Sequence, residues 1–96
     1  MNREQALTVL ARAKPVLQER FGVTRLALFG STARDAARPD SDVDVLVAFD
    51  GPATAGRYFG VQFYLEDALG CPVDLVSEKA LRPQLRPYIE PEVVDV

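Results

Sequence analysis

The sequence predicts an α/β (α+β) protein in which a small mixed β-sheet of three to four strands is flanked by helices. Residues 3–20 and 57–69 carry apolar side chains at helical spacing, which favours two long helices. Residues 24–29, 42–49 and 72–76 are short and largely apolar, which favours strands. At 96 residues we expect a single domain, because most domains have about 50 to 200 residues.

The two long helices are predicted from their apolar stripes and end signals. The first runs from Arg3 to Arg20 on a stripe formed by Ala6, Leu10, Ala13 and Leu17. Pro15 lacks a backbone N–H, so we expect it to kink this helix or to divide it into two segments. Gly22 is a candidate left-handed residue at the helix end. The second long helix runs from Arg57 to Leu69, and Gly70 closes it.

The first two strands are separated by a polar stretch. The strand at Thr24–Phe29 stops at Gly30, and a short helix is predicted over residues 31–37 with Ser31 as its N-cap. The strand at Asp42–Phe49 begins with alternating acids and valines and becomes apolar on both faces toward its end. Strands that are apolar on both faces are buried on both sides, so we predict that this strand is central.

The remainder of the chain is less regular. Pro72–Val76 is predicted as a short third strand, in which Asp74 interrupts apolar residues. Ser77 is predicted to cap weak helical pieces that reach about Ile89 and are interrupted by prolines. Residues 91–96 are predicted to be extended or frayed.

The composition excludes several chemistries. The chain has no histidine, which removes histidine-based triads, histidine acid–base catalysis and nearly all zinc sites. Its one cysteine, Cys71, cannot form an internal disulfide, and we expect it to be inert packing. Catalysis would therefore rest on carboxylates, hydroxyls, Lys or Arg, Tyr and metal ions bound through oxygen.

The charge balance and hydropathy bear on location and partners. Eleven cations, nine of them arginine, against 14 acids give a net charge of −3. General nucleic-acid binding favours a basic face, so we do not expect it here. No apolar run approaches the ~20 residues that cross a bilayer, and the polar N-terminus lacks a signal-peptide core. We expect a cytoplasmic protein without membrane contact.

Asp42 and Asp44 are the first candidates for a functional site. Residues two apart on a strand point to the same face, so the two carboxylates would repel each other and lose hydration beside an apolar strand. Either their pKa values rise or a cation compensates them, and Mg²⁺ takes such oxygen ligands together with substrate phosphates. The pair also fits a simpler interpretation, in which Asp42 caps the strand and Asp44 lies on a solvated face.

Three further elements extend this pair. Gly30 and Ser31 lie where a strand runs into a helix, and the backbone N–H groups there, with the Ser31 hydroxyl, can bind a phosphate. Arg34, one helical turn later, can contact the same phosphate. If the strand of Asp74 pairs beside residues 42–49, Asp74 would converge on the same metal. Each feature taken alone also fits an N-cap, a surface arginine or a solvated strand residue.

Taken together, these residues resemble the nucleotidyltransferases of the DNA polymerase β superfamily. Within that superfamily they resemble the minimal (MNT-type) domains that often act as antitoxins to HEPN toxins. The matching segments cover most of residues 24–76 and are Phe29–Arg34, Arg38–Val47 and Val73–Val76, with Leu81-Arg82-Pro83 also fitting. The resemblance implies a polymerase-β-like fold and a single minimal nucleotidyltransferase domain over residues 1–96.

The resemblance also implies a role for each candidate residue. The residues that would hold the triphosphate of ATP are Gly30 and Ser31, and Arg34 joins them as a candidate phosphate ligand. The residues that would bind two Mg²⁺ ions and serve catalysis are Asp42, Asp44 and Asp74. Of these, Asp74 would be the third carboxylate, which readies the attacking hydroxyl.

One position departs from the family pattern. A glycine usually follows the arginine of the Gly-Ser-x-Ala-Arg stretch, whereas this chain has Asp35. Aspartate tolerates left-handed backbone geometry better than most residues, so we expect the turn to survive. The charge of Asp35 near a polyphosphate would weaken nucleotide binding and reduce activity.

The resemblance implies AMP transfer from ATP to a tyrosine of a partner HEPN toxin, which silences the toxin. A chain of 96 residues leaves no room for a separate acceptor-recognition domain, so we expect a partner protein to present the hydroxyl. Apolar surface left by a small core fits a homo- or hetero-oligomer. Two alternatives stay open: a catalytically weak antitoxin that neutralises its partner by binding alone, and a small-molecule adenylyltransferase.

Overall fold

A computed structural model describes residues 1–96. Its helices are α1 (Arg3–Phe21), α2 (Gly30–Ala33), α3 (Ala55–Leu69) and α4 (Arg86–Ile89). Its strands are β1 (Val23–Phe29), β2 (Val43–Phe49), β3 (Val73–Ser77) and β4 (Val94–Asp95), and short 3₁₀ turns lie at Glu78–Ala80 and Glu90–Glu92. The two long helices and first three strands are present as predicted, with small shifts at their ends. None of the helices has the length and apolar character needed to cross a membrane.

The four strands form one sheet in the order β3–β2–β1–β4. β2 runs antiparallel to β1 and parallel to β3, and β4 pairs antiparallel with the other edge of β1. The parallel step from β2 to β3 passes through α3, because parallel neighbours need a crossover connection. The predicted mixed sheet of three to four strands with flanking helices is therefore confirmed, and β2 is a central strand as its apolar sequence predicts.

α1 is capped at both ends and is not divided by its proline. Asn2 accepts a hydrogen bond from the backbone N–H of Gln5 at 2.8 Å, and its own N–H donates to the Gln5 side chain at 3.1 Å, which forms a capping box. Gly22 ends the helix with a φ of 70°, as predicted. The expected division at Pro15 is wrong, because the helix is continuous and its buried residues on either side of the proline, Ala13 and Leu17, hold both turns against the core.

The two faces of the sheet are covered unequally. The valines of β2 (Val43, Val45 and Val47) point into the large core that α1 and α3 cover. The opposite face carries Leu46 and a small cluster formed by Ala27, Phe29 and Leu81, with Ile89 and Val93 at its margin. Because residues two apart on a strand share a face, Asp44 lies on this thinly covered side.

The C-terminal segment (residues 78–96) is attached to β1 by charge as well as by strand pairing. The guanidinium of Arg25 lies 2.7 Å from the carboxylate of Asp95 and 3.3 Å from those of Glu78 and Glu90. Asp95, followed by Glu90, raises the pKa of Arg25, and Arg25 in return lowers that of Asp95. The Arg25 cluster therefore fixes the segment over the thinly covered face, and its last residues are extended and paired rather than frayed.

The structure corrects the predicted bounds and cap of α2 and refines the prediction for Ser77. α2 covers only Gly30–Ala33 with Phe29 as its N-cap, so Ser31 lies inside the helix and does not cap it. The helix ends early because Asp35 adopts a left-handed φ of 57°, which a right-handed helix cannot continue. Ser77 occupies the N-cap position of the 3₁₀ turn at Glu78–Ala80, as predicted, but its side chain makes no capping hydrogen bond, since its pairing with Val47 keeps it buried within the sheet.

We predict that Gly22→Ala destabilises the protein by about 1–2 kcal/mol, the cost of a left-handed backbone at a residue with a Cβ. The added Cβ would also lie 2.6 Å from Oδ1 of Asp50. Gly56→Ala is the matched control, since a Cβ at this α3 position meets nothing within 4 Å and favours the helix by up to about 1 kcal/mol. Urea unfolding measures both, and an unchanged Gly22→Ala midpoint would contradict the role of this cap.

Candidate active site

The parallel pairing of β2 with β3 places two acidic side chains next to each other. Asp44 and Asp74 are direct partners in the register of these strands, and partners in a sheet project from the same face. Asp42 immediately precedes β2, and strand alternation places it on the same face as Asp44. The structure thus gathers the three predicted carboxylates at the N-terminal ends of the central strand β2 and the edge strand β3.

The pKa of Asp44 reflects its burial and its closeness to the other two carboxylates. Burial raises the pKa of Asp44 to about 6, and the neighbouring charges of Asp74 and Asp42 raise it as well, while Arg34 opposes them. Asp44 is half-buried, whereas Asp42 and Asp74 are exposed. Crowded carboxylates raise their pKa values unless a cation compensates them, and Asp44 in the protein alone shows such a raised pKa.

Gly30 lies directly against the Asp44 carboxylate. The pairing of β1 with β2 sets Phe29 opposite Asp44, so the chain turns into α2 at the residue that follows. Gly30 has a φ of 72°, and a Cβ built on it would lie 2.0 Å from Oδ2 of Asp44. Both the backbone angle and the close approach require glycine here, and the turn is thereby held beside the carboxylates.

A glutamate that sequence reasoning missed contacts the predicted phosphate-binding turn. The backbone N–H of Gly30 donates to Oε1 of Glu92 at 3.2 Å, and Nη1 of Arg34 donates to Oε2 of the same carboxylate at 2.8 Å. Ser31 lies between these two residues in sequence and is partly exposed. Glu92 is 62 residues from Gly30 along the chain, in a stretch whose sequence predicts only weak helical pieces, so no local signal could have identified it.

A cleft beside the same turn holds a second residue that the sequence did not indicate. The cleft has a volume of about 480 Å³, and Thr32, Ser41 and Cys71 are among its lining residues. The Thr32 hydroxyl is buried without a hydrogen-bond partner, which is rare in folded proteins. Cys71 is partly exposed, and burial of its thiol raises the pKa, which fits the inert character expected of it.

Asp35 adopts the left-handed geometry that the sequence argument allowed for. It is the only non-glycine residue with a positive φ, and its Oδ1 accepts a hydrogen bond from the backbone N–H of Arg3 at 3.1 Å. The turn after α2 therefore survives the replacement of glycine, and the aspartate connects it to the start of α1.

The donor chemistry of the site fits a divalent cation. Its acids are oxygen donors of the kind that Mg²⁺ prefers, and burial together with the neighbouring charges of Asp74 and Asp42 raises the pKa of Asp44, a condition that a bound cation would relieve. As the side chains stand, no three acidic, histidine or cysteine groups lie close enough together to hold an ion. The assignment of Asp42, Asp44 and Asp74 as metal ligands accordingly stays a prediction.

Comparison with known proteins identifies the family. A family model described as a nucleotidyltransferase domain matches residues 10–95. The protein adenylyltransferase MntA of Thermococcus cleftensis is 39% identical over 93 residues, which cover 97% of this chain and 94% of that protein. The chain therefore belongs to the nucleotidyltransferase domain family and is an enzyme of this class.

Solved structures agree with the fold. A structure described as a minimal nucleotidyltransferase superposes with a TM-score of 0.80 at 41% identity, over 100% of this chain and 97% of that one. A chain from the complex of a tri-AMPylated Shewanella oneidensis HEPN toxin with MNT antitoxin superposes with a TM-score of 0.66 at 20% identity, over 95% of this chain and 70% of that one. The predicted membership among minimal nucleotidyltransferases is confirmed.

We predict that Asp44→Asn makes the protein more stable at pH 8 by about 1 kcal/mol, a value reduced for solvent access. The pKa of Asp44 rises from 3.8 to about 6 on folding, so the folded state holds this proton more tightly than the unfolded chain. The contribution of Asp44 to the free energy of unfolding therefore falls as the pH rises from 3.8 to about 6. The stabilisation by Asp44→Asn should disappear below about pH 4, where Asp44 is protonated in both states.

Urea unfolding of both proteins at pH 4, 6 and 8 checks this sign. Asp40→Asn, at an exposed turn residue, is the control for a change of net charge. A loss of stability in Asp44→Asn at pH 8 would show that the ionised carboxylate stabilises the fold, which is the opposite of what its surroundings indicate.

Proposed function

We propose that the protein is a Mg²⁺-dependent nucleotidyltransferase that transfers AMP from ATP to a hydroxyl of a partner HEPN toxin and so acts as an antitoxin. The acceptor is a tyrosine of that toxin. The observation that carries the proposal is the pair Asp44 and Asp74, held in register beside the Gly30 turn, by which we mean the start of α2 at Gly30 and Ser31. We further propose that residues 1–96 act as one domain in the cytoplasm, where ATP is available.

The phosphate-binding role falls to the turn between β1 and β2. Ser31 supplies a hydroxyl and a backbone N–H at the start of α2, and Gly30 leaves the turn free of a side chain. The side chain of Arg34 is 54% exposed and donates one N–H to Glu92. A guanidinium has five N–H donors, so the other four are available to a phosphate. Together these groups would hold the triphosphate with its α-phosphorus toward the carboxylates.

No step of the proposed reaction requires a histidine, which the chain lacks. The acceptor oxygen forms a bond to the α-phosphorus of ATP, the bond from that phosphorus to the oxygen bridging the β-phosphate breaks, and pyrophosphate leaves. The exposed carboxylate of Asp74 takes the hydroxyl proton. Asp42, Asp44 and Asp74 would hold two Mg²⁺ ions, which when bound stabilise charge on the attacking and leaving oxygens.

Three observations support a protein acceptor. The relative from Thermococcus cleftensis is named a protein adenylyltransferase, and a structural neighbour comes from a complex with an AMPylated HEPN toxin. On this chain, Phe59 and Phe63 of α3 stack on each other at 6.2 Å and are 49% and 64% exposed. Exposed aromatic residues of this kind are enriched at the centres of protein interfaces.

Asp35 favours a second candidate, an antitoxin that neutralises its partner by binding alone. This residue adds a carboxylate one position after Arg34, where the family carries glycine, and so adds repulsion against a polyphosphate. If the repulsion prevents nucleotide binding, the fold and its exposed aromatic surface would still bind a toxin. The two candidates differ in whether the catalytic aspartates Asp42, Asp44 and Asp74 are needed for neutralisation of the toxin.

We predict that purified protein, incubated with Mg²⁺ and α-labelled ATP in a lysate of its own host, labels one macromolecule. The same macromolecule should acquire no label from γ-labelled ATP, because the γ-phosphate leaves with pyrophosphate. Asp42→Asn with Asp44→Asn should reduce labelling at least ~100-fold, the scale of losing groups used in the transition state. Asp40→Asn, an exposed acid in the preceding turn, should label like the wild type.

A second readout separates the two candidates. If Asp42→Asn abolishes neutralisation while the mutant still binds the toxin in a pull-down, transfer is the mechanism. If the mutant neutralises as well as the wild type, binding alone suffices and the catalytic proposal fails.

A further inference from the structure

Glu92 occupies a position that links the C-terminal segment to the phosphate-binding turn. Its carboxylate accepts the N–H of Gly30 with one oxygen and binds Arg34 with the other. The Glu92 side chain is 26% exposed, so the two hydrogen bonds are formed in partly dry surroundings. No step of the proposed reaction uses Glu92.

The N–H of Gly30 points to the edge of the sheet and not to the face that carries the carboxylates. Leu26 accepts the N–H of Val96 at 3.1 Å, and Leu28 pairs with Val94. Alternate residues of an antiparallel strand direct their backbone groups to the same neighbour, and the extended Phe29 (φ −143°, ψ −173°) continues this alternation to Gly30. Glu92 therefore adds one side-chain hydrogen bond to the ladder between β1 and β4.

The backbone that carries Glu92 is firmly attached. Val93 packs on the apolar cluster of the thinly covered face, and β4 follows directly at Val94. On the other side of Glu92, Glu90 joins the Arg25 cluster. A residue held from both sides is suited to fixing its neighbours in place.

We infer that Glu92 is a positioning residue, which holds the Gly30 turn at the sheet edge and orients the Arg34 guanidinium for a phosphate of the nucleotide. The inference rests on the proposed nucleotidyl transfer. Glu92 accepts hydrogen bonds from the N–H of Gly30, which points to the sheet edge, and from one N–H of Arg34. Ser31 and the other guanidinium N–H groups stay available to the substrate. Because it acts through these groups, it need not touch the nucleotide itself.

The contrasting role for Glu92 is that of a competitor, whose carboxylate takes the place of a phosphate. The two roles predict opposite signs. Removing a positioning residue weakens the binding of Mg·ATP, whereas removing a competitor strengthens it.

The test measures Mg·ATP binding by titration calorimetry for the wild type, Glu92→Gln and Glu92→Ala. Glutamine keeps an oxygen for the Gly30 N–H but loses the charge that orients Arg34, so we expect binding about 3-fold weaker, in line with an exposed ion pair. Alanine loses both hydrogen bonds, and we expect about 10-fold weaker binding. Tighter binding in either variant would overturn the inference.

The matched control is Glu90→Gln, which removes an acid from the same segment and weakens its ion pairs with Arg25 and Arg86. Arg25 keeps its partners Glu78 and Asp95, so the segment stays attached and the turn is untouched. It should bind Mg·ATP within 2-fold of the wild type at a similar melting temperature. Equal losses in Glu90→Gln and Glu92→Ala would mean that both act through the stability of the segment, which would overturn a specific role for Glu92.

Two further readouts separate positioning from simple stabilisation. In the labelling reaction, Glu92→Gln should raise the apparent KM for ATP more than it lowers the maximal rate, because Glu92 acts on phosphate-binding groups. In an Arg34→Gln background the effect of Glu92→Gln should largely disappear, since the two act as a unit. Additive losses would contradict action through Arg34.

Amide hydrogen exchange tests the contact of Glu92 with the Gly30 N–H independently of the proposed function. Without nucleotide, the Gly30 amide should exchange at least ~10-fold faster in Glu92→Ala than in the wild type or Glu90→Gln, because it loses its acceptor. Unchanged exchange would show that Glu92 does not hold the turn, whatever the protein catalyses. Absence of Mg·ATP binding and labelling in the wild type, by contrast, would refute the nucleotidyl transfer and with it the role assigned to Glu92.

Discussion

The enforced proximity of two like charges is the constraint on which the rest of the site depends. The parallel pairing of β2 with β3 sets Asp44 beside Asp74, and burial keeps water from fully screening Asp44. Such an arrangement opposes folding, so the large core under α1 and α3 must supply the compensating stability. The site is therefore placed where the sheet is best supported from behind and thinly covered in front.

The main elements and the carboxylates could be predicted because their signals are local. The alternation of β2 and the lone Asp74 in β3 are visible in short windows, and an acid every second residue fixes a common face. The end of α2 and the state of Ser77 could not be read in this way. The first depends on the left-handed Asp35, and the second on the pairing of Ser77 with Val47, a residue from a distant part of the chain.

Pro15 and Glu92 illustrate the same limit from opposite directions. Proline has a strong local tendency to break a helix, yet α1 is continuous because buried residues on both sides pack against the sheet. Glu92 has no local signal at all, and only the pairing of β4 with β1 brings it to Gly30. Tertiary contacts override the helix-breaking tendency of Pro15 and bring Glu92 against Gly30, and neither effect is visible in a single sequence.

The route of the C-terminal segment has a consequence for synthesis on the ribosome. All three candidate aspartates are translated by residue 74, but the acceptor for the Gly30 N–H is residue 92. Contacts so distant in sequence form late, after the costs of closing a long loop have been met. A nascent chain that is released before residue 92 thus carries every candidate catalytic acid but lacks the Glu92 carboxylate, so premature termination yields a product that retains the aspartates without the contact between the C-terminal segment and Gly30.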